Sequence, residues 1–109
     1  MLRIVGRKIT LTRGDSAELS IKVSKRDGSL YELSPNDKLT FTIKKTITDE
    51  NPLLQKEFTG NNVVVLTPED TKPLSFGKHI YDIQLSLADG NIYTVVPSSE
   101  FIIAEEVTI

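Results

Sequence analysis

Apolar side chains return at every second position along most of this chain, the period of a strand that turns one face to a core and the other to water. Ala17, Leu19, Ile21 and Val23 share one face, while Glu18, Ser20, Lys22 and Ser24 share the other. Between residues 38 and 45, Leu39, Phe41 and Ile43 alternate with Thr40, Thr42 and Lys44. The strongest run sets Tyr81, Ile83, Leu85 and Leu87 against Asp82, Gln84 and Ser86. Shorter extended segments are predicted over 8–12, 30–33, 53–58, 63–66, 92–96 and 101–104.

Turn chemistry separates these runs. Arg13-Gly14-Asp15 reads as a turn, because glycine reaches positive φ and aspartate bonds its own backbone. Asp27-Gly28 and Asp89-Gly90 each open the pattern Asp-Gly-x-Leu/Ile-Tyr-x-Leu/Val, which is the grammar of a tight hairpin and not an internal repeat. Ser34-Pro35-Asn36-Asp37 and Gly60-Asn61-Asn62 mark further reversals, and residues 46–52 form a polar loop. Pro97-Ser98-Ser99 is predicted to interrupt the last extended region. One short helical turn is expected, capped by Thr67, started by Pro68, carrying Glu69 and Asp70 in its first turn and ending near Leu74. Short strands at this spacing predict an all-β chain, folded as an antiparallel two-sheet β-sandwich in one domain over 1–109.

Composition strengthens that class. Valine, isoleucine and threonine supply thirty of the 109 residues and alanine only three. One core is what a chain of this length can bury, with roughly two-thirds of its unfolded surface removed from water. A net charge of -2 and isolated basic pairs at Lys25-Arg26 and Lys44-Lys45 argue against a nucleic-acid binder. Arg3, Gly6, Arg7 and Lys8 break the first ten residues, so neither a signal peptide nor membrane insertion is expected, and synthesis in the cytoplasm follows. The absence of cysteine removes disulfides, thiolate nucleophiles and cysteine-based metal sites.

Little catalytic chemistry remains. His79 is the single histidine, at the start of the Tyr81 run, and a serine triad would need it beside both a serine and a carboxylate. Asp49-Glu50, Glu69-Asp70 and Glu105-Glu106 are sequence neighbours in loops or at a helix start, where solvation and capping account for them. No phosphate-loop, dinucleotide, zinc-protease or calcium-loop pattern occurs, so the reading is non-enzymatic, with no cofactor and no metal. Arg13-Gly14-Asp15 matches an integrin-binding tripeptide, but a turn uses the same residues. Tyr31, Tyr81 and Tyr93 fall on strand patterns that read as core; a carbohydrate- or host-surface-binding sandwich would instead need Tyr31 or Tyr93 exposed beside polar loops.

One asymmetry stands out. Arg3, Arg7, Lys8 and Arg13 give the first fourteen residues a charge of +4, and Glu100, Glu105 and Glu106 give the last ten -3. Two readings follow. In one, the first and last strands lie together and their charges relax within one chain, which is worth little in salt. In the other, the basic start of one copy faces the acidic end of the next and closes a trimer or hexamer. The candidate assembly interface is then Arg3, Arg7, Lys8, Arg13, Glu105, Glu106, Val107 and Ile109, with the apolar pair joining a sheet or meeting a partner.

Four stretches together carry a resemblance: ITLTRGDSA from Ile9, YELSPNDKLTFTIKK from Tyr31, LTPEDTKPLSFGKHIYDIQL from Leu66 and SSEFIIAEEV from Ser98. They resemble the N-terminal domain of phage baseplate upper proteins, an immunoglobulin-like module common in prophages of low-GC Gram-positive bacteria, over nearly the whole chain. The resemblance implies a virion structural protein of the tail baseplate. It would anchor a receptor-binding apparatus to the central hub, bind other tail proteins and belong to an oligomer of three-fold character. No coiled-coil heptads or distal domain follow the module in this sequence, so the docking half of that role is the half expected here.

Overall fold

The computed structural model describes residues 2–105. Its elements in chain order are β1 (Leu2–Val5), β2 (Lys8–Thr12), β3 (Ala17–Ser20), β4 (Val23–Ser24), β5 (Leu30–Tyr31), β6 (Lys38–Lys44), β7 (Leu54–Thr59), β8 (Val63–Leu66), α1 (Pro68–Thr71), β9 (Gly77–Ser86) and β10 (Ile92–Ala104). The fold is all-β. A six-stranded sheet runs β1-β2-β10-β9-β6-β7, and two ribbons, β3-β8 and β4-β5, pair separately.

The two clearest alternating runs are neighbours in the large sheet. Leu39 faces Leu85, Phe41 faces Ile83 and Ile43 faces Tyr81, so the apolar faces of β6 and β9 coincide and bury together. Ile9 and Leu11 of β2 and Phe101 and Ile103 of β10 extend the same surface. Ala17, Leu19, Val64 and Leu66 of the β3-β8 ribbon join that one core cluster. Phe41, Tyr81 and Phe101 lie at its centre, with ring centroids 5.6 to 6.0 Å apart and two of the three contacts edge-on, the geometry that aromatic quadrupoles favour.

Several expectations are corrected. Leu2–Val5 is a strand, paired with β2 across Gly6, although four residues with an arginine among them give no period to read. The run from Ala17 to Ser24 divides after Ser20, because β3 pairs with β8 and β4 with β5. The predicted break at Pro97 is absorbed. β10 continues through it, shifting register between Thr94 and Val96 and again between Val96 and Ser99, so the proline sits in a bulge where its missing N–H breaks no ladder. The helix stops at Thr71 and not near Leu74, since Pro73 has no N–H with which to extend it. One pair departs from the antiparallel expectation: β10 runs parallel to β2.

The registers gather the turns at one end of the sheet. Lys38 pairs with both Ser86 and Thr59, so the turn before β6, the end of β7 and the β9-β10 turn come together. Gly60, at φ +66, donates its amide to the Asp37 carbonyl at 2.7 Å, and a Cβ there would lie 3.1 Å from the Pro35 oxygen. Glycine is what permits both the turn and the approach.

Candidate functional site

The described residues of the predicted interface, Arg3, Arg7, Lys8, Arg13 and Glu105, fall in or next to β1, β2 and β10, which are neighbours in the large sheet. Arg3 lies in β1 opposite Thr10. Arg7 is exposed in the β1-β2 turn, where its carbonyl accepts the buried Tyr81 hydroxyl at 2.5 Å. Lys8 meets Glu100 of its own chain at 3.7 Å, and Lys78 meets the same carboxylate at 3.3 Å. β2 and the last strand, β10, are therefore neighbours with β1 beyond β2, and part of the charge of β2 and β10 relaxes within the chain. Arg13 stacks over Phe76, 4.3 Å from the ring centroid, while its amide donates to the Ala104 carbonyl. Glu105 is exposed; Glu106, Val107 and Ile109 lie outside the described residues.

The Arg-Gly-Asp tripeptide is a turn tied to α1: Gly14, at φ +88, donates its amide to Thr71 Oγ1 at 2.9 Å, and the Asp15 amide donates to the Thr12 carbonyl. His79 is fully buried, its ring nitrogens 3.2 Å from the Gly77 carbonyl and 3.4 Å from Ser75 Oγ. Burial holds its pKa below the ordinary value, partly offset by its backbone partners. Neither of these two partners is a carboxylate. Among the described residues no three His, Cys, Asp or Glu side chains gather as metal ligands, and no helix is long and apolar enough to cross a membrane.

One concave feature was not legible as such. A groove of about 640 Å³ runs between the β4 segment and the start of β10, lined by residues 22–26 together with Tyr31, Leu85, Leu87, Tyr93, Thr94 and Val95. Its floor is apolar, its walls are two tyrosines, and its rim is cationic through Lys22, Lys25 and Arg26. All three cations are exposed, and among the described residues no ion pair engages them. Tyr93 is 52% exposed, which corrects its assignment to the core. It lies opposite Leu85, near the start of β10.

Tyr31 is held differently. Its hydroxyl donates to Asp37 Oδ2 at 2.5 Å, and the same oxygen accepts the Ser34 amide at 2.9 Å. These bonds, the tyrosine's first, hold the Asp37 carboxyl below the usual carboxylate range and raise the Tyr31 phenol. Asp37 is nearly inaccessible, so the wall carrying Tyr31 is fixed to the turn before β6. The sequence signal for the groove was present in pieces: Lys25-Arg26 as an isolated pair, and tyrosine three residues after the glycine in both hairpins. Only the tertiary arrangement brings them to one place.

Comparison with known proteins finds no matching family model, no matching curated protein and no matching solved structure.

Proposed function

We propose that this chain is a non-enzymatic docking module of a phage or prophage tail baseplate, built on an immunoglobulin-like sandwich and acting through protein–protein contacts. Two lines support it. The first is the resemblance carried by the four sequence stretches quoted above. The second, which carries the reading structurally, is the pairing order. Taking β3, β6, β8, β9 and β10 as strands B, C, E, F and G gives the C-F-G sheet as β6-β9-β10 and the B-E pair as β3-β8, both immunoglobulin arrangements. Strand β7 then adds beside C, and β2 lies against G. The module differs from antibody domains in lacking their disulfide and in using the Tyr81 hydroxyl to hold the β1-β2 turn.

On this reading the protein is made in the bacterial cytoplasm and ends in the virion tail, as a trimer or hexamer among other tail proteins. Gold-labelled antibody to the chain, applied to particles released after prophage induction, is expected to mark the tail tip. Particles that form normally without label overturn the baseplate reading. Light scattering after size exclusion reports the oligomer, which should weaken with salt if the charged ends hold it.

A second reading has one observation in its favour: Tyr93 stands exposed beside Tyr31 on a polar-rimmed groove, the platform that a carbohydrate- or host-surface-binding module requires. Loss of cell-wall glycan binding in Tyr93→Ala, with particle labelling absent, would favour it.

A further inference from the structure

We propose that the cationic groove is a strand-addition site for an extended acidic segment of a partner protein, which pairs along residues 92–96 of β10. The inference deepens the docking role proposed above and rests on it for the class of occupant, a protein; the position and chemistry come from the groove itself.

The backbone supplies the first argument. β10 has β9 on one side throughout, but β2 covers its other side only from Phe101 to Ala104. Because β2 begins at Lys8 after the tight turn from β1, no described strand continues that pairing toward residues 92–96. A six-stranded sheet thus has half an edge open in its interior. Unpaired edges accept strands unless they are charged, buried or interrupted. Tyr93, Thr94 and Val95 bear no charge, and Pro97 limits the opening at its lower end.

Side-chain chemistry supplies the second. Residues 93–95 of the open edge line the groove together with Lys22, Lys25 and Arg26 and the apolar Leu85 and Leu87. Three unpaired cations around one groove stand out in a chain whose net charge is -2. An extended peptide presents alternate side chains to opposite faces, so apolar residues can meet the floor while carboxylates meet the rim. Ile92, next to Tyr93 in the chain, and Leu30, next to Tyr31, are each 61% exposed, so exposed apolar side chains adjoin both tyrosines in sequence. This charge complementarity selects an acidic peptide over a neutral one.

The test displays random ten-residue peptides on yeast and selects them on the immobilised chain. Enriched peptides should combine apolar alternation with two or more acidic residues, and a synthetic copy of the best should slow amide hydrogen exchange at residues 93–95. The double variant Lys25→Glu, Arg26→Glu lies on an exposed turn and should keep its thermal midpoint while weakening that peptide at least about ten-fold. No enrichment, enrichment without acids, or binding that the double variant leaves intact would overturn the proposal. Binding without protection at 93–95 would overturn strand addition. Polygalacturonate binding in place of peptide, lost in the same variant, would transfer the groove to an anionic glycan. Labelling of phage particles is independent of all these readouts, so failure here is distinguishable from failure of the baseplate role.

Discussion

His79 sits fully buried next to two polar groups, and the physics of a buried imidazole makes it the residue through which mild acid reaches the core. Its pKa in the folded chain is lowered, chiefly by burial, so the unfolded chain binds a proton more readily. The stability this confers is complete above the unfolded value near 6.5 and declines as pH falls from there toward the folded value. Thermal midpoints should therefore drop between roughly pH 7 and 5, with a slope no steeper than about 1.4 kcal/mol per pH unit for one group. In His79→Gln that slope should vanish even though the variant is less stable throughout. Asp37 and Asp70, also lowered, add a second decline only below the carboxylate range, where their bonds to Tyr31 and Lys56 are lost by protonation. Asp82 opposes them, since burial raises its pKa and its protonation favours the folded chain.

At the scale of the element, α1 is too short to stabilise itself, and its position depends on what holds it. Asp70 is the hinge of that arrangement. Burial alone would raise its carboxyl, but Lys56 at 2.8 Å and the Thr67 amide at 2.7 Å outweigh the effect. Lys56 Nζ also donates to the Val65 carbonyl at 2.9 Å, so one side chain of β7 links β8 to α1. Lys56→Met keeps the stem and removes the charge; it should cost about 1–3 kcal/mol in urea denaturation, more than an exposed ion pair is worth. Elements of this kind were legible in the sequence to unequal degrees. β6 and β9 could be read because each is long, alternating and covered on one face, so local pattern and tertiary partner agree. The helix start was readable from Thr67 and Pro68, whereas its end depended on Pro73 overriding two further residues of promising composition. β10 was read in two pieces because Pro97 signals a break, and only the neighbouring β9 reveals that a bulge accommodates it. The groove was invisible for a related reason: its cations come from the first hairpin, Lys22 just before β4 and Lys25 and Arg26 in the turn after it, and its exposed tyrosine from the second, more than sixty residues later.

The whole molecule, 45 Å long and 27 by 23 Å across, has two dissimilar ends. Turns and groove occupy one. At the other, Leu2 pairs with Leu11, which in turn pairs with Ile103, so the first and last described strands leave the sheet at the same end, with β2 between them. The antiparallel β1-β2 hairpin and the parallel β2-β10 ladder then answer differently to tension. Pulled by handles at Leu2 and Glu105, β1 peels from β2 one bond at a time, as a zipper opens. Once it is gone, the load falls on opposite ends of the β2-β10 ladder, whose bonds must slide together. A force-spectroscopy trace should show a small early extension followed by one higher rupture, and a single low-force event would mean that the parallel ladder bears no load. A module tethered by this end alone would therefore act as a spring with a soft first stage and a stiff second, yielding slightly under a tug before it resists.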